Sequence, residues 1–285
     1  MVGIVANPAS GRGSRLVAKA SAFPTAEKAN MVQRMLTAFG ALGVDRAMLS
    51  TYLGGIAAAV LRAIRTRRPK DGPWPAVESC DADELTGTAA DTTNAVRRMA
   101  GAGARVIVCL GGDGTARVVA AACGDVPLLP LSTGTNNAFP QLREATVAGM
   151  AVALVATGTV GITTPRASVL EVVAGDRTEL ALVDVCVSAS RHVASRALWR
   201  PKLITKLYCS FAEPDGIGLS SVPSLLCPSP RDTPDGIALR LAPLDLDRAR
   251  VVVRAPIAPG LLVPVGVGDW RVLRTGELVE LNRAG

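Results

Sequence analysis

Aromatic residues are scarce: three Trp, two Tyr and four Phe make up 3% of the chain. Proteins that grip unpaired bases stack them on aromatic platforms, so this composition argues against nucleic acid as the partner. Histidine is scarcer still. His192 is the single imidazole; it lies among polar residues and reads as an exposed loop histidine. One imidazole excludes multi-histidine metal clusters and leaves no choice of base for a Ser-His-Asp triad. The six cysteines, Cys80, Cys109, Cys123, Cys186, Cys209 and Cys227, form no Cys-x-x-Cys pair. Several lie in apolar runs, so buried reduced thiols are expected, with no disulfide framework, no structural zinc and no metal-ligand set. Also missing are a basic leader followed by an apolar segment and any long uncharged apolar span. A cytoplasmic protein without a membrane partner is the expectation. There is no internal repeat and no low-complexity tract.

What is present is a globular composition. Hydrophobic residues make up 49% of the 285 positions and charged residues 19%, enough for one large or two medium domains whose cores Ala, Val and Leu must build. The net charge of +7 fits anionic ligands, read here as a nucleotide pocket within a diffusely basic surface. Arg62, Arg65, Arg67, Arg68 and Lys70 cluster at one predicted helix end. Cations belong there by the helix dipole, so they read as a solvated face.

The chain is organised around Val106-Ile107-Val108-Cys109-Leu110-Gly111-Gly112-Asp113-Gly114-Thr115, followed by a helically spaced stretch to Cys123. A short β-branched apolar run predicts a strand buried on both faces of a parallel sheet. Glycines let backbone N–H groups approach a ligand, and the next helix turns its positive end towards that loop. That geometry suits phosphates. Asp113 would either cap the helix or, beside phosphates, hold Mg²⁺ or take a proton from an attacking alcohol.

Around this centre the chain alternates strand and helix up to about residue 158. Strands are predicted at Val2–Ala6, Arg46–Thr51, Pro75–Cys80 and Asp125–Leu131, and helices from Ala26 to Ala41 with Thr25 as cap, at Ile56–Arg68, and after Thr88. This is an α/β domain with an open, mostly parallel sheet. Asn7-Pro8-Ala9-Ser10-Gly11-Arg12-Gly13 follows the first strand, and Ser132-Thr133-Gly134-Thr135-Asn136-Asn137 follows the last. Ligands of open parallel sheets bind outside the carboxyl ends of strands, so these loops can share one crevice. Asn136 and Asn137 offer amide groups to a ribose or carboxamide, or form an Asx turn. Thr88, Asp91, Thr92 and Thr93 read as helix caps first and nucleotide contacts second. Beyond residue 158 the pattern turns β-rich: Ala167–Ala174, Glu179–Ser190, Ile217–Leu226, Ile237–Leu241, Val251–Val279 and a last strand Leu278–Leu281. One helical insertion is expected over Ala197–Phe211.

Gly-Gly-Asp-Gly-Thr after a buried strand resembles the signature shared by NAD kinases and diacylglycerol- and sphingosine-type lipid kinases. In that superfamily the glycines face the ATP phosphates, and the Asp positions or deprotonates the acceptor hydroxyl. Asn7-Pro8-Ala9-Ser10-Gly11 resembles the opening loop of the diacylglycerol-kinase side. With Glu27-Lys28-Ala29-Asn30-Met31-Val32, Ser132–Asn137 and Ala255-Pro256-Ile257-Ala258-Pro259-Gly260-Leu261, the chain resembles, over nearly its full length, the ATP-NAD kinase-like family of acetoin catabolism protein X. The resemblance implies an N-terminal α/β domain (1–158) and a C-terminal β domain (159–285) with a site between them. It implies ATP with Mg²⁺ at Gly111, Gly112, Gly114 and Thr115, with Asn7, Ser10 and Arg12 as further phosphate contacts and Asp113 as the catalytic residue. It implies NAD as substrate or ligand, touched by Thr133, Asn136, Asn137 and Asp184. Dimers or tetramers fit it too, as do exposed apolar β edges.

Two departures bear on the acceptor. NAD kinases carry an Asn-Glu pair in the second domain where this chain has Val183-Asp184. In place of a Gly-Ser-Thr-Ala-Tyr-like run stands Gly216-Ile217-Gly218-Leu219-Ser220-Ser221. Three functions follow: phosphoryl transfer from ATP to a hydroxyl, with the NAD 2′-OH as the family-implied acceptor; non-catalytic NAD or ATP binding in a regulatory role; and lipid phosphorylation. The last would need an apolar acceptor groove and membrane association, and no amphipathic membrane helix is evident.

Overall fold

The computed structural model describes residues 1–10, 23–51, 55–80, 85–161, 166–188, 201–242 and 249–281. The described residues form two compact units, one up to residue 161 and one from residue 166.

In the first unit the elements run β1 (Val2–Ala6), α1 (Thr25–Ala41), β2 (Arg46–Ser50), α2 (Ile56–Thr66), β3 (Ala76–Cys80), α3 (Ala89–Gly101), β4 (Val106–Gly111), α4 (Asp113–Ala120), β5 (Leu128–Ser132) and α5 (Ala145–Ala156). The strands form one sheet in the order β3-β2-β1-β4-β5, every neighbour parallel. Successive strand side chains point to opposite faces, and both faces are covered. Ile4, Val108 and Leu110 pack under Met35, Leu36 and Phe39 of α1, Val60 of α2 and Val152 of α5. Val5, Ile107 and Cys109 pack against Val96 and Met99 of α3 and Val119 of α4. Burial on both sides is why these strands read as continuous apolar runs. The chain moves one way across the sheet from β1 to β3, then returns to the other side for β4 and β5. The reversal lies between β1 and β4, where the connections diverge and leave a crevice at the carboxyl edge. Pro24, not Thr25, stands at the α1 cap position.

The second unit holds a β6–β7 hairpin (Leu170–Ala174, Arg177–Ala181) and an antiparallel sheet in the order β11-β12-β10-β9-β8. Its strands are β8 (Asp184–Ser188), β9 (Ile204–Cys209), β10 (Gly236–Leu241), β11 (Val251–Ala258) and β12 (Leu261–Leu273). Leu207, Ile237, Leu239, Val253, Ala255 and Val265 build the core on one face.

Three expectations for this unit are corrected. Of the expected helix Ala197–Phe211, residues up to 200 lie outside the described residues. The remainder is one 3₁₀ turn, Pro201–Leu203, running into β9. Leu207 faces one side of the sheet and Tyr208 the other, a period of two that a short apolar run does not reveal. The expected strand Ile217–Leu226 is instead a loop and the short helix α6 (Ser221–Ser224). Pro223 has no N–H to give a ladder, and Gly218 sits at φ +95. Leu278–Leu281 pairs with no strand among the described residues, and Leu278 is 97% exposed. His192 lies outside the described residues.

Candidate functional site

A cavity of about 730 Å³ opens at the carboxyl edge of the parallel sheet. Asn7 and Ser10 reach it from the loop after β1, Gly112 to Thr115 from the start of α4, and Asn136 and Asn137 from the loop after β5. Three loops far apart in the sequence thus share one wall.

The links between them are specific. Asn7 N–H donates to Leu110 O (3.0 Å), carrying the β1–β4 ladder one residue beyond the strand. Asn7 Nδ2 donates to Thr115 Oγ1 (2.9 Å), while its Oδ1 accepts from Ala9 N–H (2.8 Å). Thr133 is fully buried; its N–H donates to Gly111 O (3.1 Å), and its hydroxyl lies 2.7 Å from Ser10 Oγ. Asn137 Nδ2 donates to Ser132 Oγ (2.8 Å), which in turn donates to Gly134 O (2.7 Å).

The three glycines of the central loop divide into two kinds. A Cβ on Gly111 would stand 2.6 Å from Thr115 Cβ, and one on Gly112 would stand 2.7 Å from Asn137 Oδ1. Those two are glycine because the chain itself fills the space. A Cβ on Gly114 would meet nothing within 4 Å, and the residue is exposed on the cavity wall. Glycine in a helix costs about 1 kcal/mol relative to Ala, and packing within the protein gives no reason for it here.

Gly112 is the cap residue of α4 and, having no side chain, caps none of the helix's first N–H groups. Asp113 is therefore the first helical residue rather than the cap. Its carboxylate reaches across to the loop after β5: Ala138 N–H donates to Oδ1 (3.2 Å) and Oδ2 (3.1 Å), and Phe139 N–H to Oδ1 (2.8 Å). Asn136 shows the opposite situation, since its buried Oδ1 has no hydrogen-bond partner among the described residues. Orphaned buried acceptors are rare in folded proteins and call for a donor from a ligand or water.

The far wall comes from α3. Asp91 accepts from Thr86 N–H (2.9 Å), Thr86 Oγ1 (2.8 Å) and Gly87 N–H (2.7 Å). The Thr86 backbone N–H, foremost among these donors, holds the Asp91 carboxyl below its ordinary range. Thr88 accepts from Ala90 N–H (3.2 Å), so the capping reading of this segment holds. Behind the wall, burial pushes the Cys109 thiol up to about 12. It stays protonated at neutral pH and takes no part as a nucleophile.

Of the residues singled out in the sequence, Asn7, Ser10, Gly112, Asp113, Gly114, Thr115, Asn136 and Asn137 line the cavity. Gly111 and Thr133 stand behind them as struts. Arg12 lies outside the described residues. Asp184 opens β8 in the second unit, opposite Cys209, and its charge adds to the burial that raises the Cys209 thiol. Two residues escaped the sequence reading. Arg117, one turn beyond Asp113, lines the cavity. Lys28 is fully buried beneath the loop after β1. Its signal was its register: Lys28 falls on the same helical stripe as Met31, Val32, Met35 and Phe39, where an apolar side chain is expected. Among the described residues, no group of three or more His, Cys, Asp or Glu side chains is placed to hold a metal ion, and no helix is long and apolar enough to cross a membrane.

Comparison with known proteins adds the following. A family model described as the ATP-NAD kinase N-terminal domain matches residues 2–160, and one described as the acetoin catabolism protein X C-terminal domain matches residues 168–285. The chain is 40% identical to acetoin catabolism protein X of Cupriavidus necator, over 97% of this chain and 79% of that protein. No solved structure gives a significant match.

Proposed function

This chain belongs to the ATP-NAD kinase family and to that of acetoin catabolism protein X, and on that premise we propose that it transfers a phosphoryl group from Mg-ATP to a hydroxyl acceptor. NAD, through its 2′-hydroxyl, is the acceptor we assign. The observation that carries the reading is the shared cavity, whose wall combines a helix N-terminus with glycine at its cap and a buried Asn136 Oδ1 with no partner among the described residues.

The parts divide the work as follows. The first backbone N–H groups of α4 favour phosphate oxygens by direction and by dipole. Gly114 leaves the space for them to come close. Mg²⁺ enters with the nucleotide and offsets the phosphate charge. Asp113 orients the acceptor hydroxyl and takes its proton as the hydroxyl oxygen bonds to the γ-phosphorus and the bond from that phosphorus to the bridging oxygen breaks, releasing ADP; the proton transfer is worth about 10²- to 10⁴-fold in rate. Asn136 Oδ1 accepts from a ligand hydroxyl or amide. Leaving such an acceptor unmet costs about 1–3 kcal/mol, so a ligand that meets it is favoured over one that does not. The relative's printed name refers to acetoin catabolism, and we propose the same setting for this chain.

One observation favours a second reading. The Asp113 carboxylate already ties down Ala138 and Phe139, which a binding protein needs as much as an enzyme. The test is NADP formation from NAD and Mg-ATP by the wild type beside Asp113→Asn. Turnover that collapses in the variant, while ATP still raises its Tm, supports the kinase. Saturable nucleotide binding by a wild type that never turns over supports the binding protein.

A further inference from the structure

We propose that Lys28 is a built-in cation that positions the nucleotide cavity: its ammonium group does for the loop after β1 what a bound monovalent ion would do. The contacts belong to the fold itself, and only their effect on nucleotide affinity rests on the function proposed above.

Lys28 has 0% exposure. Lysine is almost never fully buried, because an ammonium group taken from water must recover its hydrogen bonds inside the protein. Here the three N–H groups of Nζ reach four acceptors, one of them shared: Ser10 O (2.7 Å), Asn7 O (3.0 Å), Pro8 O (3.1 Å) and Ser10 Oγ (3.1 Å). Three main-chain carbonyls from one tight turn therefore point at a single spot. Their dipoles repel one another unless a positive charge sits between them. Rings of carbonyl oxygens are the chemistry that replaces the hydration shell of a monovalent cation in a selectivity filter. Here the cation is tethered to α1.

The turn that it holds passes the constraint on. Ser10 Oγ donates to Asn7 O (2.9 Å), lies 2.7 Å from Thr133 Oγ1 and accepts from Lys28. A hydroxyl has one proton and two lone pairs, so these three partners occupy it. Ser10 is thus a strut between the loops after β1 and β5 rather than a side-chain contact to a ligand. Asn7, at the other end of the turn, reaches Thr115 in the first turn of α4. Through Asn7 and Ser10 the one ammonium group sets the spacing of all three loops on the cavity wall. Lys28 touches none of the cavity itself, so it is a positioning residue.

The test is chemical rescue. Lys28→Ala leaves a space the length of the missing side chain, to be refilled with propylammonium or, as the neutral match, with 1-propanol. Lys28→Met keeps the apolar stem and removes the charge. The expected result is that both variants lose at least about tenfold in ATP affinity. Propylammonium restores both the Tm and the ATP affinity of Lys28→Ala, propanol restores neither, and the wild type responds to neither. If Lys28→Ala does not fold alone, recovery of folding by propylammonium and not by propanol is the same positive result. Equal rescue by propanol, or Lys28→Met binding ATP as the wild type does, overturns the proposal. A wild type that binds neither ATP nor NAD would sink the nucleotide reading instead. The Tm response of Lys28→Ala to the two additives would still decide the role of Lys28.

Discussion

In the first unit every strand runs the same way, so the loops after β1, β4 and β5 all leave from one edge. In the second unit β8, β9, β10, β12 and β11 alternate in direction, and loops leave from both ends. The consequence is visible in how far the polar contacts reach. Asn7 meets Thr115 across 108 positions and Ser10 meets Thr133 across 123. In the second unit the reach is shorter: Arg231 pairs with Glu213 across 18 positions and Arg274 with Asp235 across 39, and Ser168 Oγ donates to Pro234 O across 66. That unit also has a cavity, about 610 Å³, where Ser168, Asp232, Arg274 and Glu277 stand beside Leu170, Val185, Leu273 and Val279. A parallel sheet gathers polar loop residues into one site as a by-product of its direction. An antiparallel sheet divides its loops between two ends, and its side-chain contacts span fewer positions than those of the parallel edge.

If the contrast is right, damage to the first edge should be functional and damage to the second unit's core should be a matter of stability. The largest effect is expected at Asp113, where Asp113→Asn should lower turnover by about 10²- to 10⁴-fold. Steady-state kinetics on variant protein of unchanged far-UV circular dichroism checks this. Next comes Leu207→Ala, buried in the core of the second unit. It should cost about 2–5 kcal/mol in denaturant melts and leave the ATP affinity of the folded fraction unchanged. A loss of ATP affinity by folded Leu207→Ala would break the comparison.

The glycines give a finer test. Gly111→Ala forces a Cβ against Thr115 and should destabilise by about 1–3 kcal/mol. Gly114→Ala meets no protein atom and should stabilise by up to about 1 kcal/mol while weakening ATP binding. Thermal melts with and without ATP separate the two.

The smallest effect concerns Asp91. Its carboxyl titrates below the ordinary range in the folded protein. The stability it contributes is therefore present above the unfolded carboxyl value, at about pH 4, and is lost as pH falls through the lowered folded value. Melting curves of the wild type and Asp91→Asn should differ at neutral pH and converge in acid. Curves that stay parallel down to low pH would remove Asp91 from the far wall's stability.

Legibility followed the range of each interaction. Val2–Ala6 and Val106–Gly111 were readable as strands because a strand buried on both faces is a run of apolar residues whatever surrounds it. The glycine turn before α4 and the Thr88 cap were readable because turn and cap chemistry acts within a few residues. β9 was not, since a short apolar run fits a helix or a strand equally well and its pairing partners, β8 and β10, decide. The partners of Asp113 were not readable either: nothing near the carboxylate in sequence marks Ala138 and Phe139 as its donors.

By itself, then, the sequence determined the alternation of strands and helices in the first unit, its apolar faces and the glycine turn before α4, because each depends on periodicity and local backbone chemistry. The tertiary structure alone decided that Ser10 Oγ meets Asn7, Lys28 and Thr133, that Gly114 differs in kind from Gly111, and that a lysine on an apolar stripe bonds to the carbonyls of the β1 loop. Those properties depend on which distant atoms fill the space around a group, and only the closed sheet brings those atoms within hydrogen-bonding reach.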